Sequence, residues 1–155
     1  MRMFLLAIAF GLVLVSCGSD ESETFESQAE VDARNDQEII DYLNANNITG
    51  TVVTPTGTHV KVDVEGSAEK PTIDSRVSVN YRGYFLNGDV FENPPNPISF
   101  PLAGVIFGWQ EGIPFFGRGG SGSIYIPSRR AYGMRGQGSI PPNAVIIFDI
   151  EVIDF

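Results

Sequence analysis

The chain reads as an α+β domain: several antiparallel strands and one short helix, preceded by a separate N-terminal helix. Three observations carry this reading. Apolar and polar residues alternate along residues 60–65, 76–82 and 146–154, which is the period of half-buried strands. Helical spacing of apolar residues occurs only in short pieces. The 17 Gly and 10 Pro punctuate the chain into turns rather than long helices.

The N-terminus is an address. Arg2 is a minimal basic head, and residues 3–15 are an apolar run of about thirteen, short of the roughly 20 that span a bilayer and suited to a signal peptide. The run ends Leu14-Val15-Ser16-Cys17, which resembles the lipobox of bacterial lipoproteins. That resemblance implies removal of residues 1–16 as a lipoprotein signal peptide and lipidation of Cys17. One acyl chain holds a protein only marginally, so stable anchoring takes the diacylglyceryl group such cysteines carry. The expected location is the bacterial cell envelope, lipid-anchored on the periplasmic face. Gly18 rather than Asp after Cys17 favours the outer membrane by analogy with enterobacterial sorting.

Residues 17–34 are polar and acidic, and are expected to form a flexible tether. Residues 35–70 read as a helix and strand extension. The spacing predicts a helix over 35–45, with Asn35 as cap, Glu38 three residues on, and Ile39, Ile40 and Leu43 as a short apolar stripe. One stripe cannot hold a helix alone, so it docks either on the domain or on a second copy, giving a homodimer through residues 36–46.

Val60, Val62 and Val64 predict the first clear strand; His59 flanks its start and is expected to be exposed. Residues 71–155 form the main domain. Val77, Val79 and Tyr81 predict a second strand, and Asn87-Gly88 a hairpin turn. The Pro-rich run 93–97 is a loop or an excursion from a sheet edge. Residues 105–111 are a short helical candidate, and Ile124 and Ile126 mark another strand. In the last strand Ile146, Phe148, Ile150 and Val152 share one face, with Asp149 and Glu151 on the solvated one.

Composition excludes several functions. Nineteen Asp+Glu against ten Lys+Arg leave a net charge of −9, which disfavours nucleic acid as a partner. One Cys and one His cannot form an internal disulfide or a Cys/His zinc site, and no metal or cofactor is implied. Residues 117–122 match G-x-G-x-x-G, but a strand follows them where a dinucleotide site needs a helix, so they read as a turn.

The main domain carries, in order, the blocks Val79-Asn80-Tyr81-Arg82-Gly83-Tyr84, Gly88-Asp89-Val90-Phe91-Glu92, Val105-Ile106-Phe107-Gly108-Trp109-Gln110-Glu111-Gly112-Ile113, Ile126-Pro127-Ser128, Ala131-Tyr132-Gly133, Ile140-Pro141-Pro142-Asn143-Ala144 and Ile147-Phe148-Asp149-Ile150-Glu151-Val152. Together, and in this order, they resemble FKBP-type peptidyl-prolyl cis/trans isomerases. The acidic arm and helix also resemble anchored members known from Bacteroidetes, some associated with gliding motility. The family fold implied is a twisted antiparallel sheet wrapped around a short helix, with an apolar pocket between them.

By motif position Tyr81, Phe91, Val105, Ile106, Trp109, Tyr132, Ile140 and Phe148 line that pocket. Trp109 is its floor, and the Ile106 N–H and Tyr132 hydroxyl are its polar groups. Taken without that register, Phe91 and Phe148 read as core. Two positions depart from the family: Glu92 stands where Asp is usual, and Ile98 where a second pocket aromatic is frequent. Glu92 is read as a buried hydrogen-bond anchor rather than a reactive group.

The resemblance implies proline-containing polypeptides as substrates and assistance to the folding of exported envelope proteins. The departures keep a second reading open, a catalytically weak module that binds proline-containing partner segments. The chemistry suits the composition: rotating an Xaa-Pro bond breaks no bond, so no nucleophile or proton relay is required.

Overall fold

The computed structural model describes residues 26–155. The expected signal peptide, Cys17 and the start of the tether lie outside the described residues. Among the described residues, no helix is long and apolar enough to cross a membrane.

One antiparallel sheet organises the chain. Its strands are β1 (Val52–Val53), β2 (His59–Val64), β3 (Arg76–Phe85), β4 (Val90–Glu92), β5 (Ile98–Pro101), β6 (Ser121–Ile126) and β7 (Ile146–Asp154). They pair in the order β1-β2-β6-β7-β3-β4, and β5 also pairs with β3. The two longest alternating segments, β3 and β7, lie side by side at its centre, Tyr81 opposite Ile150 and Gly83 opposite Phe148. The Pro-rich run leaves and rejoins the sheet edge: Glu92 pairs with Gly83 and Ile98 with Val79 on the same strand. In the β3–β4 turn Gly88 donates to the Phe85 carbonyl at 2.9 Å, and its φ of +89° is one that a side chain resists.

On the inner face Val60, Val77, Val79, Ile124, Ile126, Ile146, Phe148, Ile150 and Val152 form the main core. Helix α2 (Phe107–Gly112) crosses this face. Gly108 and Gly112 meet the sheet there, and a Cβ on them would fall 2.4 and 2.6 Å from atoms of Ile126 and Ile124. The missing side chains let the helix backbone lie on β6, which presses Trp109 into the core.

The outer face is half covered. Helix α1 (Gln28–Ala45) lays Ile39 and Leu43 on Tyr84, Tyr125, Val145 and Ile147. The stripe offered for a homodimer through residues 36–46 is thus used up on the chain's own sheet, leaving Ile40 as its exposed apolar residue. Beyond the helix the outer face is polar: Asp149 is half-buried and accepts from Tyr84 Oη (3.0 Å), Ser123 Oγ (2.8 Å) and Arg82 (3.1 Å).

Three expectations are corrected here. The helix begins at Gln28, not at residue 35, so the expected tether cannot extend to 34. Ser27, not Asn35, is the cap: its hydroxyl accepts from the Glu30 N–H, and Glu30 accepts from the Ser27 N–H at 2.7 Å. Asn35 lies mid-helix because the docked stripe is Val31, Asn35, Ile39 and Leu43, all buried, and a polar member hides it from an apolar-periodicity reading. His59 is half-buried rather than exposed, since it faces Tyr125 across the β2–β6 pair and carries a buried Nδ1 without a partner among the described residues.

Candidate functional site

At one end of the inner face the aromatic rings do not fill the space, and a cavity of about 350 Å³ opens between β3, β5, α2 and the segment linking β6 to β7. Trp109, 5% exposed, is its floor. Tyr81, Phe148 and Phe100 surround the indole with ring centroids 5.0, 4.9 and 5.1 Å away. Tyr81 and Phe148 meet it nearly edge-on, at 82° and 78°, a favourable quadrupole arrangement. Val105 and Ile106 form the lip that leads into α2. Gln110 ties that lip down by donating to the carbonyls of Val105 at 2.7 Å and Ala103 at 3.3 Å.

Of the residues expected from sequence, Tyr81, Glu92, Val105, Ile106, Trp109, Tyr132 and Phe148 line the cavity. Phe91 and Ile140 do not. Phe91 stands behind Phe148, edge-on at 5.6 Å, and touches Phe85. Ile140 is packed in the core, and its backbone pairs with Gln137 in both directions at 2.9 Å, which sets Gln137 at the cavity. Phe100, Gly104 and Gln137 are lining residues that the sequence reading left out. Phe100 carried a usable signal, an aromatic two residues after Ile98; Gln137, in an irregular segment, carried none.

The polar groups are few. The Ile106 N–H has no hydrogen-bond partner among the described residues. Burial pushes the Tyr132 hydroxyl above its ordinary pKa, and the Glu92 charge adds to this. Burial likewise pushes Tyr81 up, reinforced by Glu92 beside it. Both phenols are therefore neutral donors at physiological pH. Glu92 itself is exposed on the rim, not a buried anchor, because β4 is a three-residue edge strand that turns only Phe91 inward. The Trp109 Nε1 is buried without a partner among the described residues.

A larger recess of about 740 Å³ lies on the outer face along Asn80, Arg82, Ser123, Asp149 and Glu151. Its side chains are polar and mostly satisfied by one another, so it cannot desolvate an apolar ring. Of the 117–122 run, residues 117–120 form a turn, with the Gly120 N–H donating to Gly117 O at 2.9 Å, and Ser121 and Gly122 already belong to β6.

Residues 67–153 match the model of the FKBP-type peptidyl-prolyl cis-trans isomerase family. The chain is 36% identical over 137 residues to the FKBP-type peptidyl-prolyl cis-trans isomerase FkpA of Aeromonas hydrophila, covering 85% of this chain and 51% of that protein. It is 38% identical over 117 residues to the peptidyl-prolyl cis-trans isomerase Mip of Coxiella burnetii, covering 72% and 51%. It thus spans about half the length of these curated relatives. The crystal structure of FkpA from Escherichia coli superposes with a TM-score of 0.68 at 33% identity, covering 82% of this chain and 63% of that one. The crystal structure of AtFKBP13 gives 0.62 at 32%, covering 68% and 98%.

Proposed function

The chain belongs to the FKBP-type peptidyl-prolyl cis-trans isomerase family, and from that premise we propose that its inner-face cavity accelerates cis/trans rotation of Xaa-Pro bonds in polypeptides. The single observation that carries this is the aromatic cavity floored by Trp109, with neutral hydroxyls and the Ile106 N–H, unpaired among the described residues, at its edge.

The barrier to rotation, about 18–20 kcal/mol, is amide resonance. The planar amide is more polar than the twisted one. A site that seats the proline ring on an indole and excludes water therefore favours the twisted form over the planar one, which is differential binding of the transition state. The Ile106 N–H is suited to hold the carbonyl on one side of the ring, and the Tyr132 hydroxyl supplies a second neutral donor. Tyr81, Trp109 and Phe148 shape the apolar wall. Phe91 and Ile140 act from behind, by holding Phe148 and Gln137.

A second reading has its own support. Ile98 is 42% exposed at the mouth and Glu92 sits on the rim, so the mouth is more open and more polar than an aromatic at residue 98 would leave it. Such a site suits a module that docks proline-containing segments with little turnover.

The deciding measurement is the cis-to-trans rate of a short Phe-Pro peptide with residues 18–155, beside Trp109→Ala. Acceleration that disappears in the variant supports the isomerase. A folded wild type that binds the peptide without accelerating it leaves the docking module.

Residues 1–16 as a signal peptide, Cys17 as a lipidated anchor in the cell envelope with the outer membrane favoured, a tether from Cys17 to the start of α1, and exported proteins as clients complete the proposal. Their support is the Leu14–Cys17 pattern and the acidic arm. Metabolic labelling with a fatty acid that persists in Cys17→Ser would remove the anchor.

A further inference from the structure

We infer that Asn35, on the helix outside the family-matched region, is a positioning residue for the cavity: it grips both ends of the segment that carries Tyr132, Gln137 and Ile140. The inference rests on the reading of the cavity as the working site.

That segment joins β6 to β7, and its regular structure is two three-residue 3-10 turns, Ser128–Arg130 and Gly133–Arg135, and the single bridge between Gln137 and Ile140. No strand ladder holds it; its internal bonds close turns and loops within it, so its placement against the rest of the domain depends on bonds to other parts of the chain. Asn35 supplies them at both ends. Its Oδ1 accepts from the Ser128 N–H at 2.9 Å, and its Nδ2 donates to the Asn143 carbonyl at 3.2 Å and to Glu38 at 3.1 Å. The N–H of Ser128 can only donate and the carbonyl of Asn143 can only accept, which settles the orientation of the amide.

Each grip is passed on to Tyr132. Ser128 accepts from the Ala131 N–H at 2.9 Å, on one side of Tyr132. Asn143 donates to the Gly133 carbonyl at 2.8 Å, on the other side. Arg129, bonded to Asp36 at 2.6 Å and to the Asp32 carbonyl at 3.2 Å, adds a second tie to the same helix.

The residue choice argues the same way. Asn35 and Ser128 are 0% and 1% exposed. In a stripe otherwise made of Val31, Ile39 and Leu43, docking alone would be served by an aliphatic side chain, and a buried amide is costly unless its bonds are made. Holding the Tyr132 hydroxyl in place over the cavity is a use that an aliphatic residue cannot serve.

The test compares Asn35→Leu, Asn35→Asp and Leu43→Ala in residues 18–155, well below their unfolding midpoints. The readouts are kcat and KM on the Phe-Pro peptide and amide exchange across residues 128–143. Asn35→Leu is expected to lower kcat about tenfold, with KM changed less than about twofold, the scale of a displaced catalytic group. Its exchange should quicken at Ser128, Ala131 and Asn143, whose N–H groups these bonds protect. Asn35→Asp keeps the acceptor for Ser128 but turns its second oxygen against the Asn143 carbonyl and the Glu38 carboxylate, so exchange should quicken more at Asn143 than at Ser128; it also carries the test if Asn35→Leu does not fold. Leu43→Ala loosens the same helix without touching these bonds, and should keep wild-type kcat and exchange. Wild-type kcat and exchange in both Asn35 variants would overturn the inference, as would Leu43→Ala reproducing their loss. A wild type without isomerase activity would sink the reading of the cavity, and the exchange data would still decide whether Asn35 holds the segment.

Discussion

The two faces of the central sheet are built from the same strands, β3, β6 and β7, yet the inner one keeps an aromatic-walled cavity while the recess on the outer one is lined by polar side chains. On the inner face Tyr81, Trp109 and Phe148 meet edge-on, between 64° and 82°, and rings packed this way leave their faces open at the margin. On the outer face Ile39 and Leu43 from α1 lie on Tyr84, Tyr125 and Ile147 as an aliphatic cover. The difference teaches that burial alone does not mark a site. Ile147 and Phe148 are adjacent and both buried, but one is sealed under a helix and the other walls a cavity of about 350 Å³.

The sharpest way to break this comparison is to make one large truncation on each face. Trp109→Ala should lower the unfolding free energy by about 3–5 kcal/mol and Ile39→Ala by about 2–5 kcal/mol, since both side chains are buried. Chemical denaturation measures this. The isomerisation rate should separate them: Trp109→Ala loses its acceleration, whereas Ile39→Ala keeps kcat/KM within about twofold. Equal losses of rate in the two variants would mean that the faces are not functionally distinct.

Smaller, and aimed at how the faces are joined, is Glu111. It sits on α2, two residues from Trp109, and its Oε2 accepts from Thr54 (3.2 Å), Thr56 (2.6 Å) and Thr58 (3.0 Å) while Arg130 pairs with Oε1. The β1–β2 connection is thereby clipped onto the helix that forms the cavity floor. Burial pulls the Glu111 pKa upward, but the bonds from Thr56, Arg130 and Thr58 outweigh it and hold the carboxyl below its ordinary value. A depressed carboxyl stabilises the fold above its unfolded pKa, about 4.5, and loses that contribution as pH falls through the folded value. Glu111→Gln should cost about 2 kcal/mol at pH 7 and flatten the acid limb of a stability–pH curve. A curve with an unchanged acid limb would show that the clip is idle.

How much of this could be read beforehand follows from the kind of signal each part leaves. Strands β3 and β7 were legible because Val77-Val79-Tyr81 and Ile146-Phe148-Ile150-Val152 repeat every second residue. Trp109, Tyr81, Phe148 and Tyr132 were legible because they fall in ordered family blocks. Phe91 and Ile140 were assigned one layer too far forward, since a motif fixes order along the chain but not depth. The start of α1 was misplaced because Asn35 interrupts an apolar stripe and Asn35-Glu38 imitates the capping pair that Ser27-Glu30 forms. The threonine clip joins residues 53 to 57 positions apart and leaves no local pattern at all.

On the polar margin of the outer face, Tyr84→Phe removes the hydroxyl that donates to Asp149 at 3.0 Å and should cost about 1 kcal/mol. Burial, then the Asp149 charge and hydrogen bond, push the Tyr84 hydroxyl well above its ordinary pKa. The unfolded chain ionises this tyrosine near pH 10 and the folded chain does not. Its contribution is therefore complete below pH 10 and is lost as pH rises further. Alkaline titration of stability should be steeper in wild type than in Tyr84→Phe.

The smallest expected effect concerns His59, on the outer side of β2 opposite Tyr125. Burial pushes its imidazole below the ordinary value, and the charge of Asp36 on α1 opposes this without cancelling it. The unfolded state therefore takes up the proton first, at about pH 6.5, while the folded state resists it. Stability is full above that pH and falls as the solution is acidified through it, at a pH where Glu111 is still ionised. Asp36 is itself engaged by Arg129, so it offers His59 only part of its charge. The thermal midpoint of wild type should drop more between pH 7 and 5.5 than that of His59→Gln. Parallel slopes would show that the imidazole reaches water as freely in the folded chain as in the unfolded one, and that α1 seals this end of the outer face less tightly than it seals Ile39.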